Sequence, residues 1–209
     1  MRVLVIASQK GGVGKTTIAG HLGVMAEAEG AGPVALVDTD PQASLASWWN
    51  QRQAETPLFA ALEIPRLRER LDQLGKSGVK LAIIDTPPAV TETIRSVIAV
   101  ADLVIIPTRP SPHDLRAVGS TIDLVEGAGK RLVFVINGAA PRAKITGESA
   151  VALSQHGTVA PVTLYQRTDF AASMTDGRTV QELDRNSRSA GEVVQLWKYV
   201  FKQLRKASP

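Results

Sequence analysis

Residues 9–17 of this 209-residue chain read Gln-Lys-Gly-Gly-Val-Gly-Lys-Thr-Thr, and they constrain its fold more than any other stretch. They follow a short apolar run, residues 3–7, and precede a segment with helix-like spacing, residues 18–30. Strand, glycine loop, helix is the order a phosphate-binding loop needs. Glycines let the backbone turn tightly and bring N–H groups up to phosphate oxygens. The following helix adds the positive end of its dipole. In this pattern Lys15 reaches the β- and γ-phosphates, and the Thr16 hydroxyl ligates Mg²⁺.

The rest of the chain agrees with the fold such a loop requires. Apolar, β-rich runs recur at 2–7, 33–37, 80–84, 102–106, 131–136 and 159–164. Helix-like segments lie between them, near 15–29, 65–75, 90–100, 111–128 and 145–156, and a last one spans 190–206. Residues 57–64 are ambiguous and fit an extra strand. Continuous apolar strands alternating with helices indicate a parallel sheet covered on both faces. The expected architecture is a doubly wound α/β domain over 1–209, with ligands at the carboxyl ends of the strands.

Composition closes off several function classes. The chain has no cysteine, which removes thiol catalysis, thiolate metal sites and cysteine-ligated iron–sulfur clusters, and fits a reducing cytosol. No stretch approaches the ~18 apolar residues of a membrane span. The net charge of +4 is unevenly placed. Residues 1–136 carry 14 Lys/Arg and 14 Asp/Glu, and residues 137–209 carry ten and six, so the whole excess lies in the last third. A basic surface there suits nucleic acid or anionic lipid, or is an ordinary solvated face.

Two acidic positions complete the site. The strand at 33–37 ends in Asp38-Thr39-Asp40-Pro41-Gln42, and the strand at 80–84 ends in Asp85-Thr86-Pro87-Pro88. Both place carboxylate beside the expected phosphates. Mg²⁺ takes oxygen ligands and keeps several waters, and an Asp after an apolar strand is the usual second support for it. Asp85 fits that role.

The loop departs from the common pattern. Gln9 stands where glycine is usual, and Lys10 precedes Gly11-Gly12. The run Lys10-Gly11-Gly12-Val13-Gly14-Lys15-Thr16-Thr17 resembles the deviant phosphate loop of the ParA/MinD family of ATPases. Asp38-Thr39-Asp40-Pro41-Gln42 resembles that family's second motif. Softer matches cover residues 83–88, 103–114 and 166–182, and the proline-rich piece from Pro107 to Asp114 looks most like the small ParF-like plasmid-partition branch.

The resemblance implies ATP and Mg²⁺ as cofactors. It implies that Lys10 reaches a partner subunit's nucleotide, that Asp38 supports the metal, and that Asp40 orients the attacking water. Asn137 is similar in position to an Asn contacting the purine edge, or is a turn cap. Residues 107–112 border the nucleotide and the dimer face in the family, and so form a secondary site candidate. Slow hydrolysis, an ATP-bound homodimer, sequence-independent DNA binding and a hydrolysis-stimulating partner (centromere-binding protein or cargo adaptor) follow by the same resemblance. So does a cytoplasmic, nucleoid-associated location without an N-terminal helix-turn-helix domain.

Candidate DNA contacts in the basic third are Arg167, Arg185, Arg188, Lys198 and Lys202. Lys198, Lys202, Arg205 and Lys206 share one helix face, and Val193, Leu196, Trp197, Val200 and Leu204 form an apolar stripe expected to be core. The same helix permits a MinD-like lipid-binding alternative. Trp48-Trp49 reads as strand cover or a nucleotide-sensitive loop rather than an interfacial anchor. A metabolic ATP-dependent synthetase or amidase is a further alternative. His21, His113 and His156 are assigned no function.

Overall fold

The computed structural model describes residues 1–88 and 92–206. Strands β1 (Arg2–Ile6), β2 (Val34–Asp38), β3 (Leu58–Phe59), β4 (Leu81–Asp85), β5 (Leu103–Thr108), β6 (Leu132–Ala139) and β7 (Thr158–Val159) form a sheet in the order β3-β2-β4-β1-β5-β6-β7. A short β8 (Leu164–Tyr165) pairs with the end of β6. Every pairing is parallel. Crossovers are made by α1 (Lys15–Ala28), α2 (Ser44–Asn50), α3 (Leu67–Lys76), α4 (Glu92–Ala99), α5 (Pro112–Ala117), α6 (Gly119–Gly127) and α7 (Lys144–Ser154). Then α8 (Thr168–Ser173), α9 (Val180–Leu183) and α10 (Arg188–Lys206) complete the order.

Strand alternation explains the two-faced core. Side chains two apart on a strand share a face. Leu4 and Ile6 of β1 join Ile18 and Leu22 of α1, Trp48 of α2, and Trp197 and Val200 of α10. Val3 and Val5 join Leu71 of α3, Ile94 and Val97 of α4, Ile122 of α6 and Leu153 of α7. Helices therefore cover both faces, as the continuous apolar runs require. The stripe on α10 is core throughout: Val193, Leu196, Trp197, Val200 and Leu204 are all buried.

The departures from the expected elements have local causes. The single strand expected at 159–164 is two short ones, β7 and β8, flanking Pro161, which has no N–H to give a ladder. The helix expected at 111–128 is interrupted at Val118, giving α5 and α6. Ser111 caps α5, its hydroxyl accepting from the Asp114 N–H at 3.1 Å. β6 runs on to Ala139, so Asn137 lies within the strand rather than at its end. The first residues of the helix expected near 90–100 lie outside the described residues. The ambiguous 57–64 stretch supplies β3 at the sheet edge and, at Ile64, the start of a 3₁₀ turn that leads into α3.

Candidate functional site

The sheet register brings the site together. Ile6 of β1 pairs with Asp85 of β4, and Asp85 pairs with Asp38 of β2. Three adjacent strands, β2-β4-β1, thus end at one level, with the glycine loop rising from β1 and a carboxylate at the end of each of the other two. Gly12 and Gly14 have φ of 73° and 88°, the left-handed region that favours glycine. Gly14 opens α1, whose first helical bond joins the Ile18 N–H to the Gly14 carbonyl at 3.0 Å. The N–H groups of the first turn are left to face a ligand.

Lys15 is 7% exposed, and burial lowers its pKa, opposed by the charges of Asp85 and Asp40. Its Nζ donates to the Lys10 carbonyl at 3.4 Å, which closes the loop on itself. Lys10 itself is exposed. The Thr16 hydroxyl donates to Asp85 Oδ2 at 2.5 Å. Asp85 is 1% exposed, and burial pushes its pKa up to about 7, against the Thr16 hydrogen bond and Lys15.

Among the described residues Asp85 Oδ1 has no hydrogen-bond partner. A buried carboxylate oxygen without a partner is costly unless something else satisfies it. The donor set suits Mg²⁺: one hydroxyl and nearby carboxylates, all oxygen. Among the described residues no cluster of three or more His, Cys, Asp or Glu can hold a metal.

Asp38 has a second duty that its sequence position does not reveal. Its Oδ2 accepts from the N–H groups of Leu45 and Ala46, at 2.9 and 3.0 Å, and its Oδ1 accepts from Asp40 N–H at 3.0 Å. The carboxylate thus anchors the first turn of α2, where an anion is favoured. Asp40 Oδ1 accepts from Gln42 N–H at 3.0 Å, and Asp40 lines the cleft with Lys15 and Thr16.

The cleft over the loop has a volume of about 870 Å³. Asn137 belongs to its wall. Its Nδ2 donates to the Val13 carbonyl at 2.7 Å, and a β-carbon on Gly14 would lie 2.3 Å from that nitrogen. The Asn therefore clamps the phosphate loop, a role distinct from the turn cap considered above. Gln9 is likewise a fastener: Ser120 of α6 donates to its Oε1 at 2.6 Å, and its N–H donates to Thr121 Oγ1 at 3.2 Å. Trp48, Tyr165, Phe170 and Met174 add apolar wall. Both tryptophans are packed: Trp48 Nε1 donates to the Arg178 carbonyl at 3.1 Å, and Trp49 Nε1 to the Pro57 carbonyl at 2.8 Å.

His21, with no function expected from sequence, is a buried strut behind the loop. Val180 N–H donates to its Nε2 at 3.2 Å, so the ring proton sits on Nδ1 and is donated to the Thr17 carbonyl at 2.8 Å. Burial lowers its pKa to about 4, from 6.5. A folded pKa below the unfolded one gives stability that is complete above pH 6.5 and lost as pH falls through 4. A loss of about 3 kcal/mol is expected over that window. Thermal unfolding from pH 7 to 4 should show a steeper decline for the native chain than for His21→Gln; parallel curves would contradict it.

The basic candidates divide. Arg167 lies in the cleft wall, its guanidinium bound to Glu192 Oε1 at 2.6 Å and resting over the Tyr165 ring, so it stands apart from the others. Arg185, Arg188, Lys198 and Lys202 are exposed. Arg188 and Lys202 lie at opposite ends of α10, roughly 21 Å apart along the axis at 1.5 Å per residue.

Comparison with known proteins agrees with this geometry. A family model described as the CobQ/CobB/MinD/ParA nucleotide binding domain matches residues 4–201. A protein of Halothiobacillus neapolitanus called "Maintenance of carboxysome distribution protein A" is 30% identical over 203 residues, which is 91% of this chain and 92% of that one. A protein of the same description from Gloeobacter kilaueensis is 41% identical over 124 residues, 58% of this chain and about half (55%) of the relative. Among solved structures, the septum site-determining protein MinD of Pyrococcus horikoshii, complexed with Mg-ADP, superposes with a TM-score of 0.80 at 18% identity, covering 99% of this chain and 98% of that one. At that identity the likeness speaks for the fold. The chain belongs to the CobQ/CobB/MinD/ParA family of nucleotide-binding domains, whose ParA and MinD members are P-loop ATPases.

Proposed function

We propose that this chain is a ParA-type cargo-positioning or partition ATPase. It binds Mg²⁺-ATP, closes as a sandwich homodimer, holds DNA without sequence preference, and lets go when an adaptor on the cargo stimulates hydrolysis. The observation that carries the reading is the contrast within one loop. Lys15 is buried in the cleft wall, whereas Lys10, five residues earlier on the same loop, is exposed and outside the cleft lining. A lysine held there suits the phosphates of a second copy's nucleotide. The relative from H. neapolitanus, matched along nearly its whole length, is described by its role in carboxysome distribution, which favours positioning of a large assembly.

Within the site, Lys10 and Lys15 neutralise charge on the phosphates, the loop amides hold them, and Asp40 orients water. Thr16, Asp85 and Asp38 would hold Mg²⁺, which would supply positive charge against the terminal phosphates. Exposed Arg185, Arg188, Lys198 and Lys202 contact DNA phosphates. A lipid-binding role for α10 is disfavoured, because its apolar stripe is already buried against the sheet.

Binding to random-sequence duplex with ADP, ATP and a slowly hydrolysed analogue, across a range of salt, tests the proposal. Retention only with the triphosphates, falling steeply with salt, is expected. Replacing Lys198 and Lys202 together with alanine should lower the log–log salt slope by roughly two. Absence of DNA binding in every nucleotide state would overturn it.

A further inference from the structure

Arg109 directly follows β5, between the carboxyl ends of β1 and β6. Its aliphatic stem lies along the backbone of Gly138: a β-carbon there would stand 3.4 Å from Arg109 Nε and 3.7 Å from its Cγ. Gly138 adjoins Asn137, the residue that clamps the Val13 carbonyl of the phosphate loop. Arg109 therefore leans over the nucleotide side of the sheet and shares a cleft with Gly11, Gly12, Lys15 and Pro88. The family resemblance marks residues 107–112 as a stretch bordering the nucleotide, but nothing in Thr108-Arg109-Pro110 singles out the arginine within it.

The charge balance of the cleft is the second observation. Arg167, the other guanidinium lining it, is neutralised by Glu192. Among the described residues no hydrogen bond, ion pair or ring contact engages Arg109, although the side chain lies in a walled cleft. Among the described residues Asp40 is the one acidic side chain of the lining, and the charges of Asp85 and Asp40 act on Lys15. A planar guanidinium with no partner, held beside a phosphate loop, has the geometry for two parallel bonds to phosphate oxygens.

We propose that Arg109 is a third cation of the nucleotide site and contacts the polyphosphate of the nucleotide bound in its own subunit. The proposal rests on the nucleotide-binding reading of the cleft and adds to it a residue outside the phosphate loop. Same-subunit contact follows from the shared cleft. Lys10, exposed and outside the cleft lining, is the cation suited to a partner's nucleotide; Arg109 lines the cleft just past the strand next to the loop's own.

The test is equilibrium binding of fluorescent ADP and a slowly hydrolysed ATP analogue, with Mg²⁺, to the purified full chain and three variants. Arg109→Gln keeps a stem along Gly138 without the charge. Arg109→Ala removes both, and Arg109→Lys keeps the charge without the fork. Both neutral variants should bind ADP and the analogue about 10–100-fold more weakly, with unchanged melting temperature because the side chain is exposed. The lysine variant should recover part of the loss. Native ADP affinity in Arg109→Gln would overturn the proposal. A loss confined to the triphosphate and dependent on protein concentration would also overturn it, placing the contact across two subunits. If the native chain bound neither nucleotide, the nucleotide reading would fail and this proposal with it.

Discussion

Replacing Asp40 with asparagine is expected to lower ATP turnover by ~10²–10⁴-fold, the range lost when a positioned group that handles the proton or charge of a reacting water is removed. ATP affinity should change little. The argument is local. Asp40 lines the cleft beside Lys15 and Thr16, and one of its oxygens accepts from Gln42 N–H. Asparagine keeps that acceptor, so the turn into α2 survives and only the negative oxygen is lost. Single-turnover hydrolysis measured beside nucleotide binding separates the two effects. Turnover within a factor of three of the native chain would remove Asp40 from the mechanism.

The second large effect has opposite signs for stability and for activity. Asp85→Asn should raise the stability of the nucleotide-free chain by on the order of 3 kcal/mol at pH 8, or about 6–12 °C in melting temperature for a chain of this size. Asp85 is buried, and burial lifts its folded pKa to about 7, above the ordinary 3.8. A raised folded pKa means the fold holds the proton more tightly than the unfolded chain. The native chain therefore loses stability as pH climbs from about 4 through 7, and the neutral amide is spared that loss. The advantage of the variant should shrink on acidification and vanish near pH 4. The same variant should need about 10–100-fold more Mg²⁺ for turnover, since the amide gives the ion no charge. Equal melting curves at pH 8 would show that the buried carboxylate carries no penalty.

Much of the site was legible because its pieces sit at strand ends. Val34–Asp38 and Leu81–Asp85 are continuous apolar strands, each with its carboxylate as the last residue. Parallel pairing then sets Asp38 and Asp85 side by side without further information. What could not be read depends on contacts distant in sequence. Asn137 meets Val13 across 124 positions, and His21 meets Val180 across 159. Neither leaves a periodic trace.

Helix α2 was missed because seven residues with two buried side chains, Leu45 and Trp48, make too short a pattern. Its anchor, Asp38, precedes it by six positions rather than one, so no ordinary capping signature exists. The basic third was readable as charge but not as surface: Arg167 looked like its neighbours until Glu192 was found against it. Arg109 lay inside a stretch, residues 107–112, read as a secondary site candidate, but nothing singled out the arginine itself, to which only Gly138 gives a direction.

Helix α2 is fastened at both ends. At the front, Asp38 grips the amides of Leu45 and Ala46. Just past the rear, Arg52, with a side chain 3% exposed, binds Glu182 and the Gly177 and Thr56 carbonyls and rests on the Trp48 ring. Glu182 in turn closes the capping box of Thr179 that starts α9, three residues before Arg185. The carboxylate at the end of β2 and Arg185, ahead of α10, are therefore joined by one short lever. Tilting its front end by re-aiming Asp38 would either carry the far end along or break the Arg52 bonds, which gives the end of β2 a mechanical path to Arg185.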